Sequence, residues 1–156
     1  MRRKHREEKQ YEPDVHYKSP LATRFINYLM KDGKKSVSQK VFYKTMEIIE
    51  KETNQDPVSV FNLAIKNTSP DLELVTKRIG GANYQIPRAV PDFRRMTLSC
   101  RWLIASARSK KGKPMAKKLA EELILASKNE GPAIKKKLDI HRMAEANKAF
   151  AHFLRR

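Results

Sequence analysis

Cationic and aromatic side chains lie on both sides of a glycine-rich reversal in the middle of the chain. Lys77 and Arg78 precede Gly80-Gly81-Ala82-Asn83, and Tyr84 and Arg88 follow it. Ammonium and guanidinium groups bind phosphate, and an aromatic ring can stack on a nucleic-acid base. These residue types therefore indicate a partner that carries both phosphates and bases.

The same stretch has the periodicity of strands rather than of a helix. Side chains alternate from Leu72 to Ile79 and again from Tyr84 to Arg88. Two such runs around a glycine-rich reversal predict a β-hairpin over residues 72–90. Pro87 has no N–H to donate, so its nitrogen must face away from the ladder. Because a lone two-stranded ribbon is marginally stable in water, this one must pack on the helices or on a partner.

The charge balance of the chain is strongly basic. The 156 residues include 34 Lys and Arg against 17 Asp and Glu, which gives a formal net charge of +17. A solvated basic surface would account for some of this charge, but self-repulsion at this level destabilises a compact domain. The excess therefore favours a polyanionic partner, of which nucleic acid is the commonest. An anionic membrane is less favoured, because no apolar run reaches the roughly 18 residues that a spanning helix needs.

The start of the chain and its single cysteine bear on the compartment. The first residues are basic but no apolar segment follows them, so we expect no secretory leader. Cys100 cannot form an intramolecular disulfide, which suits a reducing compartment. Cys100 also shares the apolar face of a predicted helix with Met96 and Leu103, so we expect a small core residue rather than a nucleophile.

Helical periodicity dominates the rest of the chain, and prolines and capping residues mark where the helices begin. Serine and aspartate can accept hydrogen bonds from the free N–H groups of a first turn, and proline fits the first helical position. The fold class predicted is mainly α, a single helical domain over residues 1–156 with about six helices and a protruding two-stranded antiparallel β-hairpin between the third and fourth helices. We expect helices to begin at Ser19-Pro20, Ser36, Asp56-Pro57, Pro91-Asp92, Pro114 and Pro132, the last helical region running from Ala133 to about Phe153.

Residues 1–18 form a polar segment with little apolar surface to bury, so we expect a flexible basic arm. Arg2, Arg3 and Lys4 lie at its start. Arms of this composition often become ordered on binding RNA. A merely frayed terminus is the alternative.

The fourth predicted helix carries arginines at a regular spacing. Arg94, Arg101 and Arg108 are seven residues apart and so lie on one flank of the helix. Arg95 shares another side with Trp102, roughly opposite the apolar face. We expect the Trp102 ring to be buried against a second element with its indole N–H bonded, and stacking on a base is the alternative.

Patterns that would indicate catalysis or metal binding are absent from the sequence. The four histidines show no metal-ligand spacing, and no serine lies in a nucleophile elbow. Gly33-Lys34-Lys35-Ser36 is similar to the end of a phosphate-binding loop, but Tyr28 occupies the position where that loop needs its first glycine. Lys34 and Lys35 instead form a basic corner between the first two helices. We therefore predict that the protein is not an enzyme and has no cofactor and no metal site.

Four segments in register give the chain a specific resemblance. In this order and over nearly the whole chain from about Asp14, they resemble the bacterial-type small-subunit ribosomal protein seven family. The segments are Asp32-Gly33-Lys34-Lys35-Ser36, Lys77-Arg78-Ile79-Gly80-Gly81-Ala82-Asn83-Tyr84-Gln85-Ile86-Pro87, Arg101-Trp102-Leu103 and Met143-Ala144-Glu145-Ala146-Asn147-Lys148-Ala149-Phe150-Ala151-His152.

The resemblance implies a helical domain with a protruding ribbon, and it implies a function. A member of this family would be a structural component of the small (30S) ribosomal subunit and a primary 16S rRNA-binding protein that nucleates assembly of the subunit head. The ribbon and last helix would lie near the exit-site tRNA and the mRNA path, and the protein partners would be neighbours in the head and platform. The expected location is a ribosome of the bacterial cytoplasm or of an organelle of bacterial descent, with no membrane partner.

Individual residues receive roles from the matching motifs. The resemblance implies ribosomal RNA contacts for Lys34, Lys35, Lys77, Arg78, Arg94, Arg95 and Arg101. We expect further RNA contacts from Arg2, Arg3 and Lys4 of the arm and from Arg108 on the arginine flank. The residues expected near tRNA and mRNA are Gly80, Gly81, Ala82, Asn83 and Tyr84 of the ribbon tip and Arg142 and Lys148 of the last helical region.

The chain departs from the family pattern at two places. Asp14-Val15-His16-Tyr17 lacks the proline that commonly follows the aspartate, which affects the path of the arm. Arg88-Ala89 stands where the returning strand usually has apolar and acidic residues. Arg88 would then either add a phosphate contact or be a solvated charge.

Two other functions are compatible with a small basic helical protein. The first is a DNA-binding protein, which competition between a folded ribosomal RNA junction and duplex DNA would reveal by equal affinity. The second is an RNA-processing enzyme, against which the missing acid, base and metal clusters argue.

Overall fold

A computed structural model describes residues 11–155, the last two of them by backbone alone. It is mainly helical, with one two-stranded antiparallel sheet between the third and fourth helices, as predicted. None of the described helices is both long and apolar enough to cross a bilayer. In chain order the elements are α1 (Pro20–Leu29), α2 (Lys35–Thr53), α3 (Pro57–Thr68), β1 (Leu72–Ile79), β2 (Ala82–Ala89), α4 (Asp92–Ser109), α5 (Met115–Ser127), α6 (Pro132–Ala146) and a C-terminal 3-10 helix (Lys148–Arg155).

Local capping chemistry accounts for some of the helix starts. Asp56 accepts hydrogen bonds from the Val58 and Ser59 backbone N–H groups at 3.3 and 2.9 Å, as its position before Pro57 predicts. Ser19 stands at the start of α1 but makes no side-chain capping bond.

The predicted cap at Ser36 is wrong, because α2 already begins at Lys35. Asp32 and Gly33 both have left-handed backbone conformations, with φ of +53° and +71°. This tight turn lets the Lys35 N–H bond to the Gly33 carbonyl at 2.9 Å. The chain therefore enters the helix before it reaches the serine.

The core forms where α5 packs against α2, α3 and α4. Leu119 and Leu123 of α5 are fully buried there. The Phe25 and Phe61 rings meet edge to face with centroids 5.2 Å apart, and Phe42 lies 5.5 Å from Phe61 in the same arrangement. These edge-to-face contacts fix the relative positions of α1, α2 and α3.

Two predicted core residues of α4 are confirmed. Cys100 is completely buried, and the Trp102 side chain is almost so. Phe93, in the first turn of the helix, is partly exposed and lies under the guanidinium of Arg24, 4.0 Å from the ring centroid. Arg24 is itself buried and donates to the Phe93 carbonyl and to Thr97 Oγ1 at 3.0 and 2.8 Å. This arginine thus fastens α1 to the start of α4.

The ribbon turns more sharply than the sequence predicts. Ile79 pairs with Ala82, so the connection is the two residues Gly80 and Gly81 rather than four. Both glycines have positive φ, +56° and +92°, as a two-residue hairpin connection with right-handed strand twist requires. The ribbon leans on the helical domain, because α6 packs against β1 and the C-terminal 3-10 helix packs against β2.

The last helical region is not continuous to residue 153. The α-helix ends at Ala146, and the chain continues as a 3-10 helix from Lys148. The Phe150 N–H bonds to the Asn147 carbonyl at 2.9 Å, which is the tighter three-residue spacing. The change of direction allows Phe150 and Phe153 to contact the ribbon.

The described part of the predicted arm is held against the helical domain. Asp14 is buried and accepts hydrogen bonds from the His16 and Tyr17 backbone N–H groups and from the Tyr43 hydroxyl. Thr23 in α1 donates to the carbonyl of residue 12 at 2.8 Å. The prediction of a flexible arm is therefore wrong for residues 14–17. Arg2, Arg3 and Lys4 lie outside the described residues.

Candidate nucleic-acid interface

A buried carboxylate organises the base of the ribbon. One carboxylate oxygen of Glu73 in β1 accepts hydrogen bonds from Nε of Arg88 in β2, at 3.2 Å, and from Nη2 of the same residue. Its other oxygen accepts from Nε of Arg94, in the first turn of α4, at 2.6 Å. The Glu73 side chain is 10% exposed, whereas those of Arg88 and Arg94 are 44% and 49% exposed. One internal acid thus holds two half-exposed cations at the joint between ribbon and helix.

The pKa of Glu73 reflects this environment. Burial acts to raise the pKa, but the hydrogen bonds and charges of Arg88 and Arg94 outweigh it, and the pKa lies below its usual value. The carboxylate is therefore ionised at neutral pH. Of the two roles that the sequence left open for Arg88, a simple solvated charge is wrong, because in the protein alone the charge is paired with Glu73. The phosphate contact stays a prediction.

Arg95 braces the same joint from the other side of α4. Its Nε donates to the Val90 carbonyl at 3.0 Å, just before the helix begins. Its Nη1 lies 3.4 Å from a carboxylate oxygen of Asp71. Asp71 in turn donates its backbone N–H to Nε2 of His141 in α6 at 3.1 Å. Arg95 therefore has a positioning partner at each end of the ribbon base.

The remaining arginines of the α4 flank lie toward the opposite end of the helix. Arg108 Nη2 donates to the Leu29 carbonyl at the end of α1, at 3.0 Å. The Arg101 guanidinium lies 5.7 Å from the centroid of the Tyr28 ring. Both arginines are exposed. With about 1.5 Å of rise per residue, Arg94 and Arg108 are roughly 20 Å apart and cannot share one phosphate.

A basic corner adjoins Arg108. Lys34 and Lys35 are exposed at the start of α2. An open cavity of about 390 Å³ lies beside Lys34 and is lined by Lys31, Lys34 and Arg108 together with apolar side chains such as Val37. The structure thus brings Lys34 and Arg108 together, although 74 positions separate them in the numbering of the chain.

The tip of the ribbon presents backbone more than side chain. Gly80 to Asn83 and the Arg78 side chain are exposed. Lys77 and Tyr84 lie opposite each other in the ribbon register. Lys77 Nζ donates to the Phe153 carbonyl at 3.0 Å, and the Tyr84 ring lies 5.3 and 5.9 Å from those of Phe150 and Phe153. The C-terminal 3-10 helix therefore supports the side of the ribbon below its tip.

Arg142 and Lys148, the two predicted residues of the C-terminal region, lie on either side of the break at Asn147. Both are exposed. Lys148 Nζ lies 3.3 Å from a carboxylate oxygen of Glu145, three residues earlier, and both side chains of this ion pair are exposed. They share the C-terminal region with the aromatic contacts to the ribbon but do not touch Tyr84 in any described contact.

Sequence reasoning missed Glu73 as an organising residue. Glu73 stands directly opposite Arg88 in the ribbon register, so an opposite-charge cross-strand pair was the available signal. The second contact, to Arg94, joins β1 to α4 over 21 positions that include the whole of β2, and it has no local signature.

Among the described residues, no three His, Cys, Asp or Glu side chains are grouped so as to hold a metal ion. Burial raises the pKa of the Cys100 thiol to about 12, which makes it a poor nucleophile. What the site offers is a set of arginines and lysines on rigid elements. These features define a class, a basic helical protein that holds its cations on a rigid scaffold as nucleic-acid-binding proteins do.

Comparison with known proteins specifies this class further. The model of the family "Ribosomal protein S7p/S5e" matches residues 1–148. Small ribosomal subunit protein uS7 of Thermosipho africanus and that of Thermotoga maritima are each 50% identical to the chain over 153 residues, covering 98% of this chain and 99% of theirs. The uS7 protein of Endomicrobium trichonymphae is 54% identical over 142 residues, covering 91% and 89%.

The chain belongs to the ribosomal protein S7p/S5e family. The resemblance seen in the four sequence segments is thereby confirmed. Members of this family are structural ribosomal proteins and not enzymes, so the prediction that the chain is no enzyme is confirmed as well.

Proposed function

We propose that the protein is a structural component of the small (30S) ribosomal subunit of the bacterial cytoplasm or of an organelle of bacterial descent. It binds 16S ribosomal RNA directly and nucleates assembly of the subunit head. The observation that carries the proposal is 50% identity, over 98% of the chain, to proteins called small ribosomal subunit protein uS7.

The mechanism is charge neutralisation by a preformed surface. An RNA junction brings strands together, and their phosphates repel one another. Cations that are already fixed on a rigid helical domain can offset this repulsion and release counterions from the RNA. A-form RNA hides its base edges in a deep and narrow groove, so recognition rests on the shape of the junction, on phosphates and on unpaired bases.

Exposed cations at both ends of α4 supply the proposed contacts. Arg94 and Arg95 would bind phosphates at the ribbon base, and Arg108 would act with Lys34 at the basic corner, roughly 20 Å away. Such separation lets one protein bind two strands of a junction. The complete proposed set is Arg2, Arg3, Lys4, Lys34, Lys35, Lys77, Arg78, Arg94, Arg95, Arg101 and Arg108.

The test of RNA binding is its dependence on salt and on RNA shape. With roughly 6–10 phosphate contacts, affinity for 16S rRNA should fall on the order of a thousand-fold or more between about 50 and 200 mM salt. Duplex DNA of equal length should bind more weakly at each salt concentration. A flat salt response, or equal affinity for duplex DNA, would contradict the proposal.

We also propose that the ribbon tip and the C-terminal region lie near the exit-site tRNA and the mRNA path in the assembled subunit. The tip would act sterically, because Gly80 and Gly81 present backbone that can approach another chain closely. Arg142 and Lys148 would supply nearby positive charge. Neighbouring ribosomal proteins of the head and platform would contact the remaining surface.

A ribbon shortened at its tip separates this function from RNA binding. Removing the cross-strand pairs Arg78–Asn83 and Ile79–Ala82 would join Lys77 and Tyr84 through the original Gly80-Gly81 turn. Two pairs are removed so that every remaining side chain keeps its face of the ribbon. Tyr84 is retained because it packs on the C-terminal 3-10 helix.

The expected result is normal assembly of the subunit with faster loss of exit-site tRNA or a higher frequency of frameshifting. Assembly is measured by sedimentation of reconstituted subunits and frame maintenance by a frameshift reporter. Normal tRNA retention and normal frame in the shortened variant would contradict the role of the tip.

A further inference from the structure

Arg88 and Arg94 reach one acid from two different elements. Arg88 belongs to the returning strand of the ribbon and Arg94 to the first turn of α4, and they occupy different oxygens of Glu73. An arginine side chain carries five N–H donors in a planar fork. The contacts to Glu73 involve Nε and Nη2 of Arg88 and Nε of Arg94, so each fork retains further donors.

The three side chains differ in exposure, and this difference determines which of them an approaching ligand would meet first. The carboxylate is almost completely covered, whereas close to half of each arginine side chain is accessible. An anion approaching this joint would therefore meet the two guanidinium groups and not the acid that holds them. Without the carboxylate, two like charges at this distance would repel each other and each side chain would sample other rotamers.

We propose that Arg88 and Arg94 together form a binding site for a backbone phosphate of RNA at the base of the ribbon, with Glu73 as its positioning residue. The inference rests on the proposed function, since it assumes an RNA partner, and it adds a site and a role for Glu73 and Arg88. One phosphate bound by both guanidiniums bridges β2 and α4. Binding at the base thereby fixes the direction in which the ribbon projects.

The proposal can be tested by whether the variant Glu73→Gln binds RNA more tightly or more weakly than the unmodified protein. In Glu73→Gln the net charge rises by one, so simple electrostatics predicts tighter binding of RNA. A positioning role predicts the opposite, because the amide binds the two forks less strongly and no longer holds them together. The matched control is Asp92→Asn, which removes the same charge at the start of α4, from a side chain that is 98% exposed and lies 3.7 Å from Arg95 rather than on Arg88 or Arg94.

The measurement is the dissociation constant of the full-length protein for 16S rRNA over a range of potassium chloride concentrations. At about 0.1 M salt, loss of one phosphate contact should weaken binding about six-fold and reduce the slope of the log–log salt plot by about 0.7–0.9. We expect this from Glu73→Gln, whereas Asp92→Asn should bind as tightly as the unmodified protein or more tightly. Equal or tighter binding by Glu73→Gln, with an unchanged slope, would overturn the proposal.

A second variant keeps the test valid if Glu73→Gln does not fold. Arg88→Lys keeps the charge at an exposed position but removes the fork that can bind Glu73 and a phosphate together. It should lose affinity, whereas Lys51→Arg, the reverse exchange at an exposed position of α2 with no proposed RNA contact, should not. Equal affinity of Arg88→Lys and Lys51→Arg would overturn the proposal.

The same experiment separates this inference from the function on which it rests. If the unmodified protein binds duplex DNA as tightly as 16S rRNA, the proposed function fails and the inference fails with it. If the unmodified protein prefers 16S rRNA and Glu73→Gln binds it no more weakly, only the inference fails.

Discussion

The Nζ atom of Lys110 lies 2.9 Å from a carboxylate oxygen of Glu122, whose side chain has no exposure to solvent. The other oxygen of Glu122 accepts the Ala133 backbone N–H at 3.1 Å, at the start of α6. Lys110 follows α4, so this acid of α5 connects the end of α4 to the start of α6. The contact to Lys110 has the distance of an ion pair but not the angles of a hydrogen bond.

Removing Lys110 should destabilise the protein strongly. Lys110→Met leaves a buried carboxylate without its counter-charge, and the expected loss in the free energy of unfolding is about 3–5 kcal/mol. The exposed neighbour variant Lys111→Met makes the same change in charge and should stay within about 0.5 kcal/mol of the unmodified protein. Urea unfolding followed by circular dichroism measures both. Equal stabilities of the two variants would show that the ion pair contributes nothing.

The contact between Tyr43 and Asp14 should make the free energy of unfolding depend on pH in the alkaline range. Burial and the hydrogen bond to Asp14 raise the pKa of Tyr43 from 10.0 to about 12. A raised pKa means that the folded protein favours the neutral phenol. Its stabilising effect is therefore complete below pH 10 and is lost as the pH rises through about 12.

Tyr43→Phe isolates this effect, because all other titrating groups are shared with the unmodified protein. The difference in unfolding free energy between the two proteins should be constant between pH 7 and about 10 and should shrink between about 10 and 12. Denaturant unfolding at each pH gives the difference. A difference that stays constant up to pH 12 would refute the assignment.

The aromatic contacts at the C-terminus should control the local stability of the ribbon. Tyr84→Ala removes the ring that packs on Phe150 and Phe153. Aromatic pairs contribute about 0.5–1.5 kcal/mol beyond burial, so ribbon amides should exchange with deuterium about five-fold faster or more. Tyr84→Phe keeps the ring and serves as the control.

Amides of α5 are the internal reference for the same experiment, because that helix lies in the core and does not contact the ribbon. Their exchange should be unchanged in both variants. Equal ribbon exchange in Tyr84→Ala and Tyr84→Phe would mean that the C-terminal 3-10 helix does not stabilise the ribbon.

The Cys100 thiol should be unreactive in the folded protein. It is completely buried, and burial raises its pKa to about 12, so very little thiolate forms at neutral pH. A thiol reagent such as a maleimide should modify the protein in concentrated urea but not in native buffer. Rapid modification of the native protein would show that the α4–α5 interface opens readily.

The hairpin and the Asp56 cap could be predicted because their causes lie within a few residues. Alternating side chains around Gly80-Gly81 indicate a ribbon, and an aspartate before a proline indicates a helix start. The predicted helix cap at Ser36 is wrong, although its cause also lies within a few residues. The turn at Asp32 and Gly33 starts the helix at Lys35, and the identity of the serine that follows, Ser36, gives no sign of this.

The base of the ribbon could be predicted only in part. The seven-residue spacing of Arg94 and Arg101 predicts that they share one flank of α4, but it does not predict that Glu73 binds Arg94. The burial of Glu73 follows from how β1 meets α4, which is a property of the tertiary packing. The same holds for Asp14, which looks like part of a polar segment until Tyr43, 29 positions later, covers it.

The two strands of the ribbon have only each other as strand neighbours in the described sheet. Each therefore offers a free backbone edge to which a strand of another molecule could add. Pro87 lacks a donor, and Arg78 and Arg88 place positive charge where an identical strand would have to align. Like charges and a missing donor discourage such pairing, so both features guard the protein against aggregation through its own ribbon.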